Sequence, residues 1–317
     1  MAAPSIKSSA KRSASGLKAG NSLERFRIPG FIDLINVDDP KEIMDLNHDP
    51  RIDRQFRLGL PVFNWLILKR SLSVLSFAGR RFPTMVSRDS VERASAQTKL
   101  GQALTAKASY IREGPEELEP LASWIRNGGP DSQVGLNVQQ VVGRLFSPTF
   151  VATQESWDAA KILVTAPRSP NWLQMFWWFI TGKVRRAKRL LASMVNGDLS
   201  AVNGIGIASH NIVKSLAQMR RLYSDPGARG SLSAEQAVNR CLTAPVSLFR
   251  QAASAGELRG CPFSKNSLFV FAIGTASKAD GGRSLIFMDD SWSGCPAAQW
   301  VPAMLEGVWK RASVGSA

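Results

Sequence analysis

At 317 residues, 44% hydrophobic and 21% charged, the chain is long enough to bury one large core or two modest ones. Three cysteines without a C-x-x-C pair (Cys241, Cys261, Cys295) exclude a disulfide framework and a structural zinc site, and two histidines (His48, His210) exclude a multi-histidine metal centre. Forty Lys and Arg against 25 Asp and Glu give a net charge of +15, which attracts nucleic acid, anionic lipid or an acidic protein partner.

Residues 1–22 hold Lys7, Lys11, Arg12 and Lys18 among Ser and Ala, with no apolar run of the kind a secretory signal needs. A disordered basic tail is expected there, in preference to a Ser- and Lys-rich targeting peptide, and one domain over 23–317. Asp38-Asp39-Pro40 supplies an acidic N-cap and a proline at the first helical position, and Asp49-Pro50 ends that helix. The run from Pro61 to Leu68 is cut by Lys69-Arg70, too short to span a membrane.

Helical spacing runs from Ser90 to Arg112, and further helices are expected around Leu121–Ile125, Val134–Leu145 and Thr153–Val164, the last with Thr153 as N-cap. Trp172 to Ile180 (WLQMFWWFI) leads directly into Lys183, Arg185, Arg186, Lys188 and Arg189. An aromatic stretch followed by a basic helix is the pattern of an interfacial anchor. The plainer reading, adopted here, is a core helix with a solvated basic end.

Helices are predicted over Lys183–Met194, Ile205–Tyr223 and Ser233–Leu242, the last stopped by Pro245. From Val246 to Ile273 the texture changes to two or three short strands with turns, Asn266 suiting a left-handed position. Ala297–Arg311 reads as a final helix. The fold class is mainly α, with a small β region near the C-terminus.

The order of these last pieces resembles the cytochromes P-450 over about residues 200–310. Ile207-Ala208-Ser209-His210-Asn211-Ile212, with the exit Leu222-Tyr223-Ser224-Asp225-Pro226, is similar to the family's long central helix, which reads A-G-x-E-T and leaves through Leu-x-x-Asp-Pro. Ala237 to Val246 resembles its E-x-x-R helix before a proline. Leu248 to Ala252, Glu257 to Phe263, and Ser267 to Ser277 with Asp280 resemble the strands that follow. Ser293-Gly294-Cys295-Pro296-Ala297 sits where the family carries its haem-ligand loop. The first two hundred residues match only as a generic helical run, so the resemblance implies a shortened P-450-like domain whose haem half is about 200–317.

Departures accompany the likeness. Arg240 and Thr243 stand in place of the E-x-x-R pair, Asn211 and Ile212 in place of the acid and alcohol that feed protons to dioxygen. Met288 and Ser291 hold the loop positions where the family carries Phe and Gly, with Phe287 one residue away.

The resemblance implies haem as cofactor, with Cys295 as iron ligand, Arg250 as partner of a haem propionate, and His210 and Asn211 on the oxygen side. A thiolate ligand pushes electron density onto iron and favours O–O cleavage. The following helix is expected to lower the Cys295 thiol pKa. Cys241 and Cys261 read as ordinary small hydrophobic residues. Trp157-x-x-x-Lys161 resembles a W-x-x-x-R propionate-binding helix, but lies too close to residue 208 for the usual layout.

The function these features imply is a haem-thiolate oxidoreductase acting on a small hydrophobic substrate, as a monooxygenase or a hydroperoxide-processing enzyme. An acidic redox partner, a cytoplasmic location and peripheral membrane contact are expected; nucleic acid ranks below these as a partner. Two alternatives stand beside it: a catalytically inactive P-450-like protein, and a basic peripheral membrane or nucleic-acid binding protein.

Overall fold

In the computed structural model, which describes residues 23–57, 59–167, 171–279, 282–289 and 291–314, the chain opens with a hairpin. The expected basic tail and Asp280 lie outside the described residues. Strands β1 (Leu23–Ile28) and β2 (Ile32–Val37) pair antiparallel, from Leu23 opposite Val37 to Ile28 opposite Ile32. Gly30 makes the turn at a φ of 73°, where a side chain is strained.

Helix α1 (Pro40–His48) starts where Asp39 accepts the Glu42 N–H at 2.8 Å, and ends at the extended Asp49. Strand β3 (Ile52–Asp53), helix α2 (Val62–Val74) and the small hairpin of β4 (Ser76–Phe77) with β5 (Arg80–Arg81) lead to α3 (Val91–Arg112), capped by Ser90. Helices α4 (Glu119–Asn127), α5 (Asp131–Phe146) and α6 (Gln154–Thr165) follow, α6 beginning in a capping box of Thr153 and Ser156. Next come α7 (Trp172–Ile180) and α8 (Lys183–Met194).

Helix α9 (Leu199–Asn203), a π-helical turn (Gly204–Ala208) and α10 (Ser209–Tyr223) run on without a break. A π turn leaves carbonyls poorly paired. Here Ser209 Oγ donates to the Gly204 carbonyl at 2.9 Å and Gln139 Nε2 to that of Ile205 at 3.1 Å. Helices α11 (Pro226–Ser231) and α12 (Ala234–Cys241), the latter with a Ser233–Gln236 capping box, precede strands β6 (Leu248–Ala252), β7 (Gly256–Leu258), β8 (Cys261–Phe263) and β9 (Leu268–Phe271). Helices α13 (Ile273–Ala279), α14 (Arg283–Phe287) and α15 (Trp300–Val314) close the described chain.

The main sheet has the order β1-β2-β9-β6-β3, with β2 and β9 parallel and the other pairs antiparallel. The mainly helical class holds, and the sheet draws three of its five strands from residues 23–53. Between Val246 and Ile273 there are four strands, and Asn266 is left-handed at a φ of 70°. The last helix begins at Trp300, three residues beyond its expected start.

The larger core is helical. α15 buries Met304, Leu305, Val308 and Trp309, and Tyr223 of α10 donates its hydroxyl to the Ala312 carbonyl at 2.9 Å. A second core lies against the sheet, with Ile35, Ile43, Leu46, Phe269 and Phe271. α7 departs from its expected core role: Leu173, Phe176, Trp177 and Ile180 are between 57% and 65% exposed. Among the described residues no helix is long and apolar enough to cross a membrane.

Candidate functional site

A cavity of about 460 Å³ lies between the π turn with α10 on one side and the loop before α15 on the other. That is within the range of about 300–1,000 Å³ usual for ligand sites. Gly204, Ile207, Ala208, Asn211 and Ser215 line it at helical spacing, together with Ile212. Aliphatic side chains, among them Leu100, Leu104, Leu163 and Val301, make up much of the remaining wall.

Cys295 lies on the facing wall, in the loop the sequence singles out. Its exposure is to this cavity, whose lining it joins. The loop is closed by its own backbone: Cys295 N–H donates to the Phe287 carbonyl at 2.7 Å, and Gly294 N–H to that of Ser291 at 3.0 Å. A Cβ at position 294 would stand 3.1 Å from the Met288 carbonyl oxygen, so glycine suits this close approach. Met288 itself takes a left-handed φ of 54°.

The thiol departs from expectation. α15 begins five residues after Cys295, too far for its N-terminus to act, and burial among protein atoms raises the thiol pKa. The Ala297 N–H and the nearby Arg54 act in the opposite sense, favouring the thiolate, while Asp289 raises the pKa further.

Arg250 and Arg54 share the cavity wall with Cys295. Arg250, on β6, is buried and donates to Asn47 Oδ1 at 3.2 Å, the Phe249 carbonyl at 2.9 Å and Ser293 Oγ at 2.9 Å, all neutral acceptors. Burial, then repulsion from Arg54, lowers its pKa well below the ordinary value, with Asp53 opposing. Burial and the charge of Arg93 likewise lower Arg54 to about 10. The indole of Trp292 takes up part of this charge, with the guanidiniums of Arg54, Arg88, Arg93 and Arg250 between 5.0 and 5.9 Å from its centre. A buried guanidinium with neutral acceptors, as at Arg250, favours an anionic group beside it. Cavity size, thiol and guanidiniums therefore fit a haem with its carboxylates.

Asn211 faces the cavity; His210 does not line it. The His210 ring stacks on Trp157 of α6, with centroids 4.3 Å apart. That also disposes of the Trp157/Lys161 likeness: Trp157 is taken by His210, and Lys161 pairs with Asp158. Among the described residues no ion pair on α12 braces the fold. Arg240 is exposed, while Thr243 N–H donates to Ser215 Oγ at 3.0 Å. Arg54, Asn47 and Trp292 escape sequence reasoning; nothing in their spacing distinguishes them, and Arg54 is one of forty basic residues.

No known family model and no curated protein matches the chain. Solved structures do. CYP154C4 from Streptomyces sp. W2061 superposes with a TM-score of 0.60 at 15% identity, covering 92% of this chain and 84% of that one. Cytochrome P-450EX alpha (CYP152N1), determined with myristic acid, gives 0.64 at 13% identity, over 91% and 83%. A variant of cytochrome P-450 OleT in complex with arachidonic acid gives 0.64 at 10% identity, over 91% and 82%. The chain has the fold of the cytochromes P-450 along nearly its whole described length.

Proposed function

We propose that this protein is a haem-thiolate oxidoreductase acting on a small hydrophobic substrate, with Cys295 as iron ligand and Arg250 as partner of a haem carboxylate. The observation that carries the reading is the meeting of Cys295 and the buried Arg250 on one wall of the 460 Å³ cavity. Arg54 joins Arg250 there as a second guanidinium suited to a carboxylate.

A haem held by a thiolate supplies oxygen-transfer and peroxide chemistry. What the chain contributes can be derived residue by residue. Cys295 must give up its proton on ligation, and the Ala297 N–H and Arg54 favour that charge. The aliphatic wall excludes water and suits an apolar substrate.

Asn211 presents an amide that can hydrogen-bond a peroxide oxygen, while the neighbouring Ile212 cannot relay a proton. This pair supports use of a hydroperoxide over reductive activation of dioxygen, which would also call for an acidic redox partner on the basic surface. The fatty acids in two of the similar structures make a long-chain fatty acid or its hydroperoxide the first substrate class to test.

A second reading, a catalytically inactive protein of the same fold, is favoured by the exposed Arg240 and by Thr243, which stand in place of the E-x-x-R pair. The carbon monoxide spectrum of the reduced protein separates the two. The Soret band of thiolate-ligated haem is expected, and Cys295→Ala should lose it while keeping its far-ultraviolet circular dichroism. Colourless protein that takes up no added haemin would leave the second reading.

A further inference from the structure

Helix α7 reverses the usual order of an amphipathic helix. Leu173, Phe176, Trp177 and Ile180 fall at i, i+3, i+4 and i+7, a single stripe, and are exposed by 58%, 57%, 65% and 60%. In a globular protein such a stripe faces the core. Here Trp178 packs against the core, and the stripe is left toward solvent.

The charge beside it is one-sided. α8 follows after Thr181 and Gly182, and its exposed positions carry Lys183, Arg185, Arg186 and Arg189. Neither helix contains an Asp or a Glu.

We propose that α7 and the exposed side of α8 form a docking face for an anionic lipid surface. The apolar stripe would enter the boundary between headgroups and acyl chains, with the four cations at headgroup depth. Tryptophan suits that boundary because its ring is apolar and its N–H polar. Charge decides against the other occupants. A second copy docked on the same face would set α8 cations against α8 cations. A nucleic acid would give the apolar stripe nothing to bury against. The proposal does not depend on haem being bound.

The test is co-sedimentation of the full chain with vesicles of phosphatidylcholine alone and of phosphatidylcholine with phosphatidylglycerol. Binding to the anionic vesicles is expected, weakening with salt. The double variant Phe176→Ser/Trp177→Ser should lower partitioning about tenfold or more, because binding scales with buried apolar area. The variant Arg185→Gln/Arg186→Gln should lose the preference for anionic vesicles. Both should keep the parent's circular dichroism and its haemin uptake, so that failure here is separable from failure of the haem reading. No binding to either vesicle would overturn the proposal. So would parental binding by Phe176→Ser/Trp177→Ser, or a concentration-dependent dimer that this variant dissolves.

Discussion

The guanidinium of Arg250 and the hydroxyl of Ser293 meet at 2.9 Å, and the same Asn47 Oδ1 accepts from both, at 3.2 Å and 2.9 Å. Trp292 Nε1 adds a bond to the Asn47 carbonyl at 2.6 Å. The end of α1, strand β6 and the loop two residues before Cys295 are thereby tied at one buried point. On α12, where the resemblance expects an ion-pair brace, Arg240 is exposed.

Asn47 is therefore expected to matter beyond its size. Asn47→Ala should destabilise the fold by about 1–3 kcal/mol, since Arg250 Nε and Ser293 Oγ lose a buried acceptor. Urea denaturation measures the loss. Haemin titration should show a broadened Soret band in this variant, because the cysteine loop is no longer anchored; an unaltered band would show the loop to be held elsewhere.

Haem uptake should depend on pH through Cys295. A thiol must release its proton to bind iron, and burial raises this one. Haemin affinity should then rise with pH, by up to roughly tenfold per unit below the thiol pKa, for a single proton released. In Cys295→Ala the rise should vanish. Spectroscopic titration across neutral pH distinguishes the two.

Lys188 and Cys241 act on stability in opposite directions. Lys188 is buried on α8, donating to the carbonyls of Ser73 (2.6 Å) and Ser76, and burial pushes its pKa from 10.5 down to about 8. Between those values the unfolded chain binds more protons than the native one, so this group makes stability rise with pH, its penalty being full below 8. Burial pushes Cys241 from 9.0 up to about 12, so from 9 upward the unfolded chain loses that proton first and stability falls. From these two groups the slope is positive only between about 8 and 9. Lys188→Met should flatten that rise and Cys241→Ala should extend it, read from urea midpoints at successive pH values.

Gly307 on α15 packs against the end of α3. A Cβ there would fall well inside contact distance of the Ile111 carbonyl oxygen and would crowd Leu118. Because one neighbour is backbone, Gly307→Ala should cost about 1–3 kcal/mol or more. Gly101→Ala, in open space on the same α3, should be neutral to mildly stabilising, by up to about 1 kcal/mol. Thermal melts of the two variants make the comparison.

Features that arise from a few neighbouring residues were open to reading from the chain alone. Asp39 and Thr153 cap helices as expected, and Ser90 and Ser233, where helical runs were expected to begin, cap theirs, because an N-cap bond spans only two or three residues. The order of pieces after residue 200, with Cys295 in its loop, was legible through the resemblance to the cytochromes P-450. Strands β1 and β2 were not, since their place in the sheet depends on β9, more than 200 residues away.

Helix phase and facing direction were decided by packing in three dimensions. The π turn at Gly204–Ala208 shifts the phase of α10, which puts Asn211 on the cavity and His210 against Trp157. The stripe of α7 was plain in its spacing, yet periodicity says only that apolar residues share a side. Which side meets water is set by what the neighbouring helices leave uncovered, and here they cover Trp178 and leave Trp177 bare.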